Sequence, residues 1–159
     1  MYTKGYNTNP AAPGPFPLSE IQAEAFFRLN APSSIYVAVA GGSSYGYRTG
    51  LPAFSLGGSR QLVAWGTNEL LTNQYFLGQL GYIRQLAKLP PFLGSTVNFL
   101  GILELGKTYK LPLLPSPPNL PMDVAGGLLV NTIFGPVLVA GTVGDYGHAR
   151  FYFQIGHVF

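Results

Sequence analysis

Glu20-Ile21-Gln22-Ala23-Glu24-Ala25-Phe26-Phe27-Arg28-Leu29-Asn30 decides the fold class. Its even positions are Glu20, Gln22, Glu24, Phe26, Arg28 and Asn30; its odd positions are Ile21, Ala23, Ala25, Phe27 and Leu29. A polar row and an apolar row that alternate residue by residue are the period of a β-strand, because successive side chains point to opposite faces of a sheet. The other end of the chain repeats the pattern. From Ala149 to Phe159 the odd row is Ala149, Phe151, Phe153, Ile155, His157 and Phe159, and the even row is Arg150, Tyr152, Gln154, Gly156 and Val158. Each stretch runs about 11 residues, the length of a tilted strand that crosses a bilayer.

Further strands read from the sequence are Ser34 to Gly42, Gln74 to Leu86, Thr96 to Lys107, Asp123 to Ile133 and Val137 to Asp145, with a weaker one at Tyr2 to Thr8. Val124 to Gly144 carries no charge and has the length of a membrane helix, but Phe134-Gly135-Pro136 breaks it into a hairpin. Tight connections at Ala31-Pro32, Pro90-Pro91 and Phe134-Gly135-Pro136 alternate with long ones at 45–69 and 108–122. Short turns on one rim and long loops on the other form the pattern of an outer-membrane barrel. The expected fold is therefore all-β: one domain over residues 1–159, an antiparallel transmembrane β-barrel of about eight strands. Residues 1–17 are either its first strand or a tail.

Composition points the same way. Only 9% of the 159 residues are charged, 47% are hydrophobic, and there are 21 glycines and 14 prolines. A soluble β-barrel needs a more charged exterior than this, which weighs against the alternative of a lipocalin-like ligand-binding barrel. The net charge of +3 is scattered, so nucleic acid is not an expected partner. Absence of cysteine removes disulfides and thiolate metal sites.

Glu20, Glu24, Arg28, Glu104 and Arg150 fall on the polar rows and are expected to form an ionic network inside the barrel. Gly42-Ser43-Ser44-Tyr45-Gly46 matches the spacing of a serine nucleophile elbow, which would make the barrel a lipid esterase. The residues after it, Tyr47 to Pro52, do not form the helix that an elbow requires, so no catalytic residue, cofactor or metal is expected.

The last nine residues carry alternating aromatics (Phe151, Phe153), then Ile155, Gly156 and a terminal Phe159. They resemble the C-terminal signal by which outer-membrane barrels are recognised for assembly. With Phe54-Ser-Leu-Gly57-Gly58, the following Leu62-Val63-Ala64-Trp65, and Asn73 to Gly78, the chain resembles the C-terminal barrel half of the bacterial surface-antigen superfamily. That superfamily comprises barrel insertases, two-partner secretion transporters and patatin-like autotransporter phospholipases, and the likeness is closest to the patatin-like barrels. The resemblance implies a bacterial outer-membrane location, a structural, assembly or translocation role without catalysis, and contact with the lipid bilayer and the barrel assembly machinery. Because the chain supplies about half a family barrel, it leaves two arrangements open: eight strands that close alone, or a homodimer in which two copies associate. The family loop carries an Arg-Gly-aromatic motif whose arginine meets acidic groups in the lumen. Aligning that aromatic with Trp65 places Val63 and Ala64 where the family has Arg and Gly, with Arg60 three residues earlier, so insertase activity is not expected.

Overall fold

The computed structural model describes residues 2–5, 16–45, 54–58, 61–109 and 120–156. Ten strands follow one another: β1 (Tyr2–Gly5), β2 (Phe16–Asn30), β3 (Ser33–Ser43), β4 (Phe54–Leu56), β5 (Leu70–Thr72), β6 (Gln74–Lys88), β7 (Gly94–Thr108), β8 (Met122–Thr132), β9 (Gly135–Gly144) and β10 (Ala149–Ile155). Seven of them make one long antiparallel sheet, and β1 adds four residues to the edge of β2. The order is β1-β2-β3-β6-β7-β8-β9-β10, so each long strand pairs with the next in sequence apart from the inserted hairpin β4-β5.

Register sorts the side chains into two faces. Phe26 pairs with Tyr36, Tyr36 with Gly81, Gln79 with Glu104, Glu104 with Asp123, and Thr142 with Arg150, which puts every charge of the seven long strands except Arg84 and Lys107 on one face. The opposite face carries Ile21, Phe27, Val37, Val39, Phe76, Leu80, Leu103, Leu128, Val143, Phe151 and Phe153, all exposed. Exposure reaches 70% at Ile21 and 72% at Phe151, the reverse of a barrel that hides its apolar residues inside.

The expected turns are where the sequence placed them. Asn30 to Ser33, Leu89 to Leu93 and Ile133-Phe134 close hairpins at one end of the sheet. Three bulges, at Arg28/Asn30, Gln85/Ala87 and Gly94/Thr96, cluster at that same end. Tyr36 lies flat over Gly81, where any Cβ would sit 1.8 Å from the ring. That glycine is required by the close approach, and the ring covers the backbone that it leaves bare.

The sheet is not a closed barrel. Among the described residues β10 has no partner on its outer edge, and β2 has none beyond its short pairing with β1. The expectation of eight strands closing on themselves is corrected for a steric reason. Residues 54–58 and 61–72 lie against the charged face of the sheet, and an eight-stranded ring encloses room for side chains only. The buried apolar cluster is made by that segment against the sheet: Leu56, Leu62, Ala64, Trp65 and Leu70 meet Ala40, Tyr75 and Leu77, with Phe54 alongside.

Candidate functional site

The inner loop is built as a hairpin with a tucked tip. Phe54 to Leu56 pairs with Leu70 to Thr72, and Gly57 turns the chain with φ +104. A Cβ there would meet the Gly66 carbonyl oxygen at 2.2 Å, so the turn needs glycine twice over. Gly58 N–H donates to the Trp65 carbonyl at 2.9 Å, and Trp65 N–H donates to that of Leu62 at 2.9 Å. These bonds hold Gly57-Gly58 against 62–66 in a tip that presents the peptide groups of Val63 and Ala64 to the sheet.

Four side chains from three strands hold those two residues by their main chain. Val63 N–H donates to Glu104 Oε2 on β7 at 2.7 Å, and Ala64 N–H donates to Asp123 Oδ2 on β8 at 2.8 Å. Arg150 Nε on β10 donates to the Ala64 carbonyl at 3.1 Å, and the Tyr152 hydroxyl, two residues on, donates to the Val63 carbonyl. Glu104 and Asp123 stand directly opposite each other in the ladder and are 1% and 2% exposed. Two adjacent buried carboxylates are costly unless each has donors. Here the two loop N–H groups supply one donor apiece, and Gln79 Nε2 on β6 donates to the second oxygen of Glu104.

A second layer braces the clamp at the long-loop rim. Glu69 Oε2 accepts from Gly66 N–H and lies 3.3 Å from an Arg150 guanidinium nitrogen, while Glu69 Oε1 lies 3.4 Å from His148 Nδ1. The His148 ring rests on Trp65 with centroids 3.9 Å apart, and Tyr146 meets the indole edgewise at 6.3 Å. The turn between β9 and β10 is thereby fastened to the loop.

Sequence reasoning placed Glu104 and Arg150 inside together, and the structure brings both to one pair of peptide groups. Two more members of the expected ionic network have neutral partners: Glu20 on β2 accepts from the Tyr75 hydroxyl on β6, and Arg28 Nε donates to the Asn30 carbonyl of its own strand at 3.5 Å. Glu24 lies on the same inward row. Of the loop motif, Phe54 meets Tyr75 edgewise at 5.3 Å, Gly57 and Gly58 make the turn, and Trp65 is buried. Arg60 lies outside the described residues, as do Phe159 and His157. Phe151, Phe153 and Ile155 point outward and are exposed, and Gly156 N–H donates to the Pro136 carbonyl at 2.9 Å. Ser44 is buried, and its hydroxyl has no hydrogen-bond partner among the described residues.

Asp123, Tyr152 and Glu69 are the residues that sequence reasoning missed. Asp123 is the first inward position of β8 and Tyr152 the second of β10, so the alternation that found Arg150 could have found both. Comparison of the chain with family models, curated proteins and solved structures found no match.

Proposed function

We propose that the chain is the wall of an integral outer-membrane β-barrel, with a structural, assembly or translocation role and no catalysis, in which a clamped inner loop fills the lumen. One observation carries this reading. Across all seven long strands the outward row is apolar, and its only charges, Arg84 and Lys107, stand near opposite ends of the sheet. The outward positions of β7 from Val97 to Leu105 cover about 26 Å of strand at the usual rise per residue, or about 20 Å of height for a strand tilted by about 40°, which fits within the apolar band of an outer-membrane barrel, about 25 Å tall.

The clamp supports the same reading. It is built from inward charges that a lipid-facing surface could not carry, and it spends them on a loop backbone. Two open edges cannot stand in lipid, where every backbone group must be satisfied within the protein. The reading therefore includes completion of the ring by further strands, which gives the loop its main-chain room; a second copy is one source of them.

The test is refolding of the full chain from denaturant into phosphatidylcholine vesicles and, in parallel, into buffer. The expected result is a β-sheet spectrum and a carbonate-resistant, protease-protected core with vesicles only. A stable, monodisperse folded monomer in buffer alone would overturn the reading in favour of a soluble barrel.

A further inference from the structure

We propose that Glu104 and Asp123 share one proton, and that its loss to solvent as the pH rises loosens the grip on the inner loop. The inference goes beyond the membrane reading and does not depend on it, because it needs only the clamp.

The pair is short of one hydrogen-bond donor. Glu104 accepts from Val63 N–H on one oxygen and from Gln79 Nε2 on the other. Asp123 Oδ2 accepts from Ala64 N–H, but Asp123 Oδ1 is buried with no hydrogen-bond partner among the described residues. A carboxylate only accepts, whereas a carboxylic acid also donates. A proton on the orphaned oxygen turns it into a donor, and Glu104, directly opposite in the ladder, has lone pairs left to receive it.

The surroundings do not compensate a second negative charge. Arg150 on β10 faces the pair, but its guanidinium already donates to the Ala64 carbonyl and lies 3.3 Å from Glu69. Asp145, in the turn before β10, accepts from Met122 N–H at 3.0 Å and so brings a further carboxylate beside Asp123. At the same height β6 and β9 contribute the neutral residues Gln79 and Gly144. The other ionisable groups on the elements packed here are His148 in the turn, Tyr152 on β10, and Tyr36 and Glu24 on the inward rows of β3 and β2. Two carboxyls side by side in a buried site do not readily both ionise, so one proton stays until rising pH draws it off.

Once the proton has gone, the clamp has the same two loop N–H donors and one more charge to hold. Carboxylates that are 1% and 2% exposed gain hydration only when their cover moves. That cover is the loop tip, whose Val63 and Ala64 N–H groups bond both acids. The second ionisation therefore lifts the tip, which is held in mildly acid surroundings and eased in alkaline ones.

The experiment follows acrylamide quenching of Trp65, the neighbour of Ala64, in the full folded chain from about pH 5 to about pH 9, a range that includes buried carboxyls with raised titration points. It is run in whichever medium folds the chain, vesicles or buffer, so its failure is separate from failure of the membrane reading. Quenching should rise with pH in a one-proton step. Asp123→Asn keeps an acceptor for Ala64 N–H and gives Glu104 a permanent donor, so the step should be lost and quenching should stay at its acid-side value. Glu104→Gln removes the other charge and should also lose the step, with folding of both variants checked by their β-sheet spectra. His148 is another proton-binding group that touches Trp65, so His148→Gln must retain the step whatever it does to the baseline. No step in the parent chain, a step that either carboxyl variant retains, or a step that disappears in His148→Gln would each overturn the proposal.

Discussion

Leu80→Arg separates the membrane reading from its rival by sign as well as by size. Leu80 lies on the outward row of β6, between Val37 on β3 and Leu103 on β7, and is 48% exposed. If water covers that face, exchanging a half-exposed leucine for arginine changes stability by no more than about 0.5 kcal/mol, as for surface substitutions generally. If lipid covers it, the guanidinium must be buried in hydrocarbon. Arg84 marks the nearer boundary four residues away, about 13 Å along the strand at the usual rise, or roughly 10 Å in height for a strand tilted by about 40°. That depth is near the middle of the apolar band, where an arginine on a barrel's lipid face costs about 2–4 kcal/mol. The assay is urea unfolding of the parent and variant chains in phosphatidylcholine vesicles, followed by tryptophan emission from Trp65, the sole tryptophan. The slope should not change and the midpoint should fall by the amount that matches this cost. A variant within about 0.5 kcal/mol of the parent, or more stable than it, would refute the claim that this face meets lipid.

Three further outcomes follow from the geometry. Tyr152→Phe leaves the Val63 carbonyl without its donor and should cost about 1–3 kcal/mol, read as faster exchange of the Val63 and Ala64 amides and easier acrylamide quenching of Trp65; unchanged exchange would mean that the clamp does not hold the loop. Gly81→Val drives a side chain into the Tyr36 ring and should destabilise by about 1–3 kcal/mol, measured as a lower urea midpoint, whereas Gly78→Val on the outward row should have a much smaller effect. His148→Ala removes the ring stacked on Trp65 and should cost about 0.5–1.5 kcal/mol and alter the near-ultraviolet dichroism of the indole; an unaltered spectrum would show that the stack does not form.

Much of the sheet was legible because alternation is a local property. The polar and apolar rows of Glu20 to Asn30 and Ala149 to Ile155 settle which face each strand turns to the loop before any partner is known. Closure was not legible. It depends on what fills the concave side, and the segment 54–72 lacks a long alternating stretch to announce that it folds inward. Its two short strands, Phe54–Leu56 and Leu70–Thr72, pair across a span whose turns are set by Gly57 and Gly58 and whose destination is set by Glu104 and Asp123, far away in sequence.

The alignment of Val63 and Ala64 with an Arg-Gly pair shows the limit of reading a site from side-chain identity. Val63 and Ala64 bring no side-chain donor to the inner acids, yet their peptide N–H groups engage them, and a peptide N–H is present at every residue except proline. Sequence comparison weighs side chains and passes over the donors that matter here.

That choice of donor sets what mutation can and cannot change at the loop tip. A clamp that grips peptide groups is blind to the letters it grips, so many small residues could stand at positions 63 and 64 without loosening it. Proline is the exception, because it alone removes the hydrogen that Glu104 or Asp123 accepts. Positions 63 and 64 are therefore free to drift among small residues, while their four holders, Glu104, Asp123, Arg150 and Tyr152, carry the constraint on their behalf.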